Sequence, residues 1–258
     1  MADAEKEKID LESLLTNYGA RVECELNARL EAWPPDFACI HVHEVVGSML
    51  ARQATLAKQI AMVPLLWNGH TAPILLRAMA DVYINIAWLL IDPSERCQRF
   101  ISYGLGQAKL ELEHQRAERA KRELTPENSA MMDAYERWIE TQRACFLQDV
   151  DLGRWAGLSV RQMAEEAECI DFYNLVYTPF SACAHSMWHH IGKYNLRRCT
   201  NPLHRYHGRP VSPESEPDLH YLLLAAKYWA KTLGTFDTRV GIEVACESAR
   251  DALLAAIS

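Results

Sequence analysis

Apolar residues recur at spacings of three and four along almost the whole chain, and no clear stretch alternates with a period of two. That pattern predicts an all-α protein, a bundle of about seven to eight helices. The breaks fall on strong helix stops: Pro34-Pro35, Asn68-Gly69, Asp92-Pro93 and Thr125-Pro126. Helices are expected over 4–33, 37–67 (bent or ended near Pro64), 71–91, 92–122 and 125–148. A short one follows Ser159, and two more span 170–196 and 217–256. Asp92-Pro93-Ser94-Glu95 supplies an N-cap, a proline at the first helical position and an acid in the first turn, and Ser159-Val160-Arg161-Gln162 is a capping box. Pro179 kinks or restarts the helix it sits in, and Gly234 is the candidate break in the last one.

Two polar stripes interrupt the apolar pattern where a core is expected. The segment from Ile74 to Leu90 is apolar on all sides and predicts a buried helix, yet Arg77, Asp81 and Asn85 follow one another at i+4 on one face. Burying an arginine costs several kcal/mol unless a carboxylate meets its fork, so Asp81 is its expected partner. The pair is either a packing element or an anchored arginine with donors left for an anion. On 170–196, Tyr173, Tyr177, Ser181, His185 and His189 repeat the i+4 step. If the two stripes face each other, Arg77, Asp81, Ser181 and His185 form one polar cluster, with Tyr177 beside it. His185 would then be its acid or base, kept neutral at pH 7 by neighbouring arginines. Trp188 and Trp229 read as core aromatics.

Charge adds a third feature. The chain of 258 residues carries a formal net charge of −7, yet residues 172–213 contain no Asp or Glu. The same stretch holds Lys193, Arg197, Arg198, Arg205 and Arg209 and five of the ten histidines, His185, His189, His190, His204 and His207. A local positive potential on an acidic body suits an anion and argues against general coating of nucleic acid. Tyr177, Arg197, Arg198 and Arg205 are the expected substrate- or anion-binding residues.

Other chemistry is thinner. The chain has no GxGxxG, Walker A, GxSxG or HExxH sequence. Cys199, His204 and His207 have zinc-type side chains at a spacing that fits no standard zinc signature, so no cofactor is expected and zinc is kept only as a candidate for those three. The eight cysteines form no CxxC pair and read as reduced thiols. The amino-terminal residues are charged and the longest apolar runs, such as 82–91, are too short for a membrane span. A cytoplasmic protein that avoids membranes is therefore expected. One helical domain over 1–258 is the simplest organisation: N-terminal helices 4–67, a core 71–196, a basic loop 197–216 and a C-terminal helix 217–256.

The run Leu76-Arg77-Ala78-Met79-Ala80-Asp81, then Asp92-Pro93-Ser94-Glu95-Arg96 and Arg99-Phe100, resembles the bacterial family catalogued as domain of unknown function 5677. So do Tyr177-x3-Ser181-x3-His185 and Cys199-Thr200-Asn201-Pro202-Leu203-His204, in the same order. Members often carry Glu where this chain has Asp81. The resemblance implies an all-α protein and no particular activity. A looser analogy is to helical HEPN ribonucleases, which use an Arg-x4–6-His motif. The one formal match in the basic segment, Arg198-x5-His204, crosses Pro202, which breaks the helix that motif needs.

Two functions fit these features. One is a hydrolase or nuclease-like enzyme acting on a phosphate-bearing substrate, RNA or a nucleotide, through the Arg77, Asp81, Ser181 and His185 cluster. The other is a non-catalytic helical module for partner binding or dimerisation. A homo-oligomer is expected in either case.

Overall fold

The computed structural model describes residues 10–119, 121, 126–146, 156–204 and 207–257. It is almost entirely helical: α1 (Leu11–Ala32), α2 (Ile40–Met62), α3 (Ala72–Leu89), α4 (Pro93–Arg119), α5 (Pro126–Phe146), α6 (Val160–Glu166), α7 (Ile170–Phe172), α8 (Thr178–Ala184), α9 (Trp188–Tyr194), α10 (His220–Val240) and α11 (Ala249–Ile257). Two three-residue strands, β1 (Leu196–Arg198) and β2 (Gly208–Pro210), complete it.

The strongest local signals hold. Asp92 accepts from the Glu95 amide at 3.4 Å at the start of α4. Ser159 and Gln162 cap α6 reciprocally. The last helix breaks at Gly241, not Gly234: Gly241 is left-handed at φ 75°, and its amide closes on the Asp237 carbonyl at 2.9 Å. Gly234 lies inside α10.

The larger correction concerns 170–196, which is not one helix. α8 ends at His185, and Ser186 takes a left-handed φ of 51°. The Ser186 amide bonds to the Cys183 carbonyl and the Met187 amide reaches the Ala182 carbonyl at 2.9 Å, the Schellman closure. Glu168 ends α6 the same way at φ 57°. A serine and a glutamate stand where glycine or asparagine would have announced these stops, and the breaks within 170–196 and at Gly241 raise the helix count above eight. The loop expected over 197–216 contains the hairpin β1–β2, antiparallel, with Arg197 opposite Arg209.

α3 is the central helix, packed against α2, α10, α8 and α6. By length and composition it could cross a membrane, but its Leu76, Met79, Ile84, Ile86 and Leu89 are fully buried among those neighbours. Gln53 ties the three inner helices together, donating to the Met79 carbonyl at 3.2 Å and to Thr232 Oγ1 at 2.8 Å. α4 and α5 form a hairpin with its own small core of Ala108, Leu112, Met132 and Ile139.

α1 joins α10 through a polar clamp that the sequence did not announce. Arg29 meets Asp237 in a fork, Nε to Oδ1 at 2.9 Å and Nη2 to Oδ2 at 2.7 Å. Its Nη1 donates to the Glu25 carbonyl at 3.0 Å, and Trp229 Nε1 donates to Glu25 Oε2 at 2.7 Å. Burial pushes the Glu25 carboxyl above its usual range against the pull of Trp229 and Arg29.

Candidate functional site

α8 carries different chemistry on its two sides, and its start explains how. Pro179 has no amide hydrogen for a helical bond. The chain answers with a π turn over Tyr173–Tyr177, in which the Thr178 amide reaches back to the Tyr173 carbonyl. Tyr173 and Tyr177 stack there, ring centroids 4.7 Å apart.

On the side facing α3, Arg77 Nε donates to Ser181 Oγ at 2.7 Å and Nη1 pairs with Asp81. The guanidinium lies flat on Tyr177, 3.2 Å from the ring centre. Ser181 donates its own proton to the Tyr177 carbonyl at 2.8 Å. The two stripes do face each other here, bringing Arg77, Asp81 and Ser181 together with Tyr177 beside them. Their geometry is that of a clamp. The serine hydroxyl is committed on both its donor and acceptor sides, and the ion pair is neutral overall, which weakens its pull on an anion. Arg77 is 12% exposed and Asp81 41%. Burial lifts the Asp81 carboxyl above its usual range, and Arg77 offsets this only in part.

His185 does not join them. It is the C-cap of α8, its ring is exposed, and among the described residues that ring makes no hydrogen bond, ion pair or ring contact. The break at Ser186 also takes His189 off the Tyr173–Ser181 face. Arg197 and Arg198 are exposed on β1. Arg205 lies outside the described residues. Cys199 is half-buried, and His204 and His207 are exposed with rings 5.9 Å apart. Among the described residues no group of three or more His, Cys, Asp or Glu is arranged to hold a metal ion. Trp229 is fully buried as expected, whereas Trp188 is 73% exposed.

On its other side α8 walls a cavity of about 460 Å³. Thr178 and Cys183 come from α8, His189, His190, Lys193 and Tyr194 from α9, and Tyr221 from the start of α10. No carboxylate lines it. Its floor is the turn before α3. Asn68 Oδ1 accepts from the His70 and Thr71 amides at 2.9 and 3.1 Å, and the Cys183 thiol donates to the His70 carbonyl at 3.2 Å. Gly69 lets the two come this close: a Cβ there would sit 2.8 Å from the Tyr194 ring and push it aside.

The rings form one cluster. His70 stands edge-on to His190 (centroids 5.6 Å) and to Tyr194 (5.4 Å), and His190 leans on Tyr194 at 4.8 Å. Lys193 Nζ lies 5.0 Å from the Tyr194 ring centre. His70 Nε2 is buried with no hydrogen-bond partner. Burial first, then the neighbouring His70, His189 and Lys193, hold the His190 imidazole below its ordinary value. A neutral imidazole at pH 7 beside a lysine is equipped to accept a proton while the lysine holds an anion.

The model of a family of unknown function, DUF5677, matches residues 43–201. The chain belongs to that family. The match runs from α2 into the start of the basic hairpin, so it covers the Arg77 clamp and the α8 and α9 walls of the cavity. Among curated proteins none matches. No solved structure matches either.

Proposed function

We propose that this DUF5677 protein binds a phosphate-bearing small molecule in the α8–α9 cavity and cleaves a phosphate ester there. The observation that carries this is the lining itself: Lys193, His189 and His190 converge on about 460 Å³ of space without one carboxylate, in a protein of net charge −7. That volume lies in the range of small-ligand sites. Lys193 holds the phosphate as a point charge. His190 takes the proton of the attacking hydroxyl as its oxygen bonds to phosphorus. The bond from phosphorus to the leaving oxygen breaks, and His189 returns a proton to that oxygen. Arg77, Asp81 and Ser181 act at one remove: they fix α8, whose opposite side is the cavity wall. His185 does not line that cavity and has no part in the step.

Adenosine 5′-monophosphate binding by calorimetry, with cleavage of uridylyl-3′,5′-adenosine, tests this. Binding should weaken about tenfold or more in Lys193→Ala, and cleavage should disappear in His190→Ala while His185→Ala keeps it. Absence of nucleotide binding by the wild type, or binding untouched by Lys193→Ala, overturns it. Binding without cleavage leaves a non-catalytic ligand module and removes the catalytic half.

A further inference from the structure

We infer that the ligand is a single strand of nucleic acid, and that α9 and the β1–β2 hairpin are the track along which it lies. This rests on the cavity being a phosphate site and names the class of substrate that reaches it.

Three features follow one another along one continuous piece of chain. The first is Trp188 at the start of α9. A sequence with a core at this position would bury it, yet it is 73% exposed. The indole lies along its own helix: its ring atoms come 3.5–3.7 Å from where a Cβ would stand on Gly192. One side is thus packed on a residue with no side chain, and much of the indole remains open to solvent. An open indole is a stacking platform for a base, and such stacking contributes about 1–3 kcal/mol per base.

The second feature is the cavity, one turn further on, with His189, His190 and Lys193 from the same helix. The third is the hairpin that α9 runs into. Arg197 stands directly opposite Arg209, both are exposed, and neither makes an ion pair among the described residues. Arg198 is exposed beside them. Like charges directly opposite across two strands destabilise a hairpin. This one carries the cost with no ion pair to relieve it among the described residues, and residues 172–213 contain no acid. A phosphate lying across both guanidiniums relieves it and is bound by it.

An aromatic platform, a cationic cavity and an arginine pair in chain order match the alternation of base and phosphate in an unpaired strand. Inorganic polyphosphate shares the phosphates and has no use for Trp188, which separates the two sources. A mononucleotide needs only the cavity.

The test uses the whole protein. Anisotropy of an end-labelled oligouridylate is read across a salt series and in competition with inorganic polyphosphate, and adenosine 5′-monophosphate is titrated in parallel. The oligonucleotide should bind about tenfold or more tighter than the mononucleotide and weaken steeply with salt. Trp188→Ala and the double variant Arg197→Ala/Arg209→Ala should each weaken the oligonucleotide several-fold while mononucleotide binding is unchanged. Trp188→Phe should retain most of the affinity, which separates lost stacking from lost folding. An oligonucleotide no tighter than the mononucleotide, or one indifferent to both sets of variants, ends the inference while the cavity stands. Effective competition by polyphosphate together with an inert Trp188→Ala assigns the hairpin to polyphosphate instead. Failure of the mononucleotide itself to bind brings down the underlying cavity assignment.

Discussion

The two sides of α8 show what a satisfied polar cluster and an unsatisfied one look like in the same helix. Toward α3, Arg77 has Ser181 at 2.7 Å, Asp81 as counter-ion and Tyr177 beneath its plane. Toward α9, His70 Nε2 has no partner, and Lys193, His189 and His190 have no carboxylate among them. The first side answers its own charges. The second leaves a lysine and a buried ring nitrogen without a hydrogen-bond partner among the described residues. Buried charge alone is therefore a poor guide to a ligand, and the better one is charge that the fold leaves unanswered. The Arg29–Asp237 clamp between α1 and α10 belongs with the first kind: a fork-on-fork pair with side chains 8% and 21% exposed.

If that division holds, damage to the clamps costs stability and damage to the cavity costs affinity. The largest effect is expected from Asp237→Ala. It strands Arg29 as a buried charge and should lower unfolding stability by about 3–5 kcal/mol in urea titrations. Mononucleotide affinity, corrected for the folded fraction, should stay the same. Arg77→Met should follow with a loss of about 1.5–3 kcal/mol, the worth of hydrogen bonds to a charged group, because it unties α8 from α3. Lys193→Ala reverses the pattern. Lys193 is exposed, so stability should move by no more than about 0.5 kcal/mol. Affinity for adenosine 5′-monophosphate should fall about tenfold or more, near 1.4 kcal/mol. A Lys193→Ala protein that unfolds easily and binds normally would erase the distinction.

The smallest expected effect is in pH, where the two sides carry opposite signs. Burial raises the Asp81 carboxyl in the folded state. The folded protein then holds that proton more tightly than the unfolded chain, so this contribution to stability falls as pH rises from about 4 through the raised value. His190 is lowered, mainly by burial and then by its cationic neighbours. The unfolded chain binds that proton first, so this contribution falls as pH drops below about 6.5. Asp81→Asn should flatten the first slope and His190→Gln the second, in urea midpoints followed over the two windows. An unchanged slope in either variant removes that group from the account.

Much of the clamp was legible before any coordinates, because its terms are local. Arg77 and Asp81 are one helical turn apart, and Tyr177 and Ser181 share the same spacing on their own segment. The capping residues Asp92, Ser159 and Gln162 were legible for the same reason. The cavity was only half legible. The acid-free stretch holds His189, His190 and Lys193, but nothing in it points to His70, which arrives from the turn at Asn68-Gly69 before α3. The stop at Ser186 stayed hidden because a serine takes the left-handed position. That one residue ends α8 at an exposed His185, so the expected acid–base residue falls outside the cluster. Arg29 and Asp237 are 208 positions apart, and only the packing of α1 on α10 brings them together.

The most direct test of the cavity as the ligand site is the titration of individual histidine side chains by NMR, with and without saturating adenosine 5′-monophosphate. A phosphate held beside His190 favours its charged form, so its pKa should rise from its lowered starting value when the nucleotide binds. A His190 that titrates identically with and without nucleotide, while the Arg77 guanidinium resonances shift, would put the ligand on the other side of α8 and contradict the account.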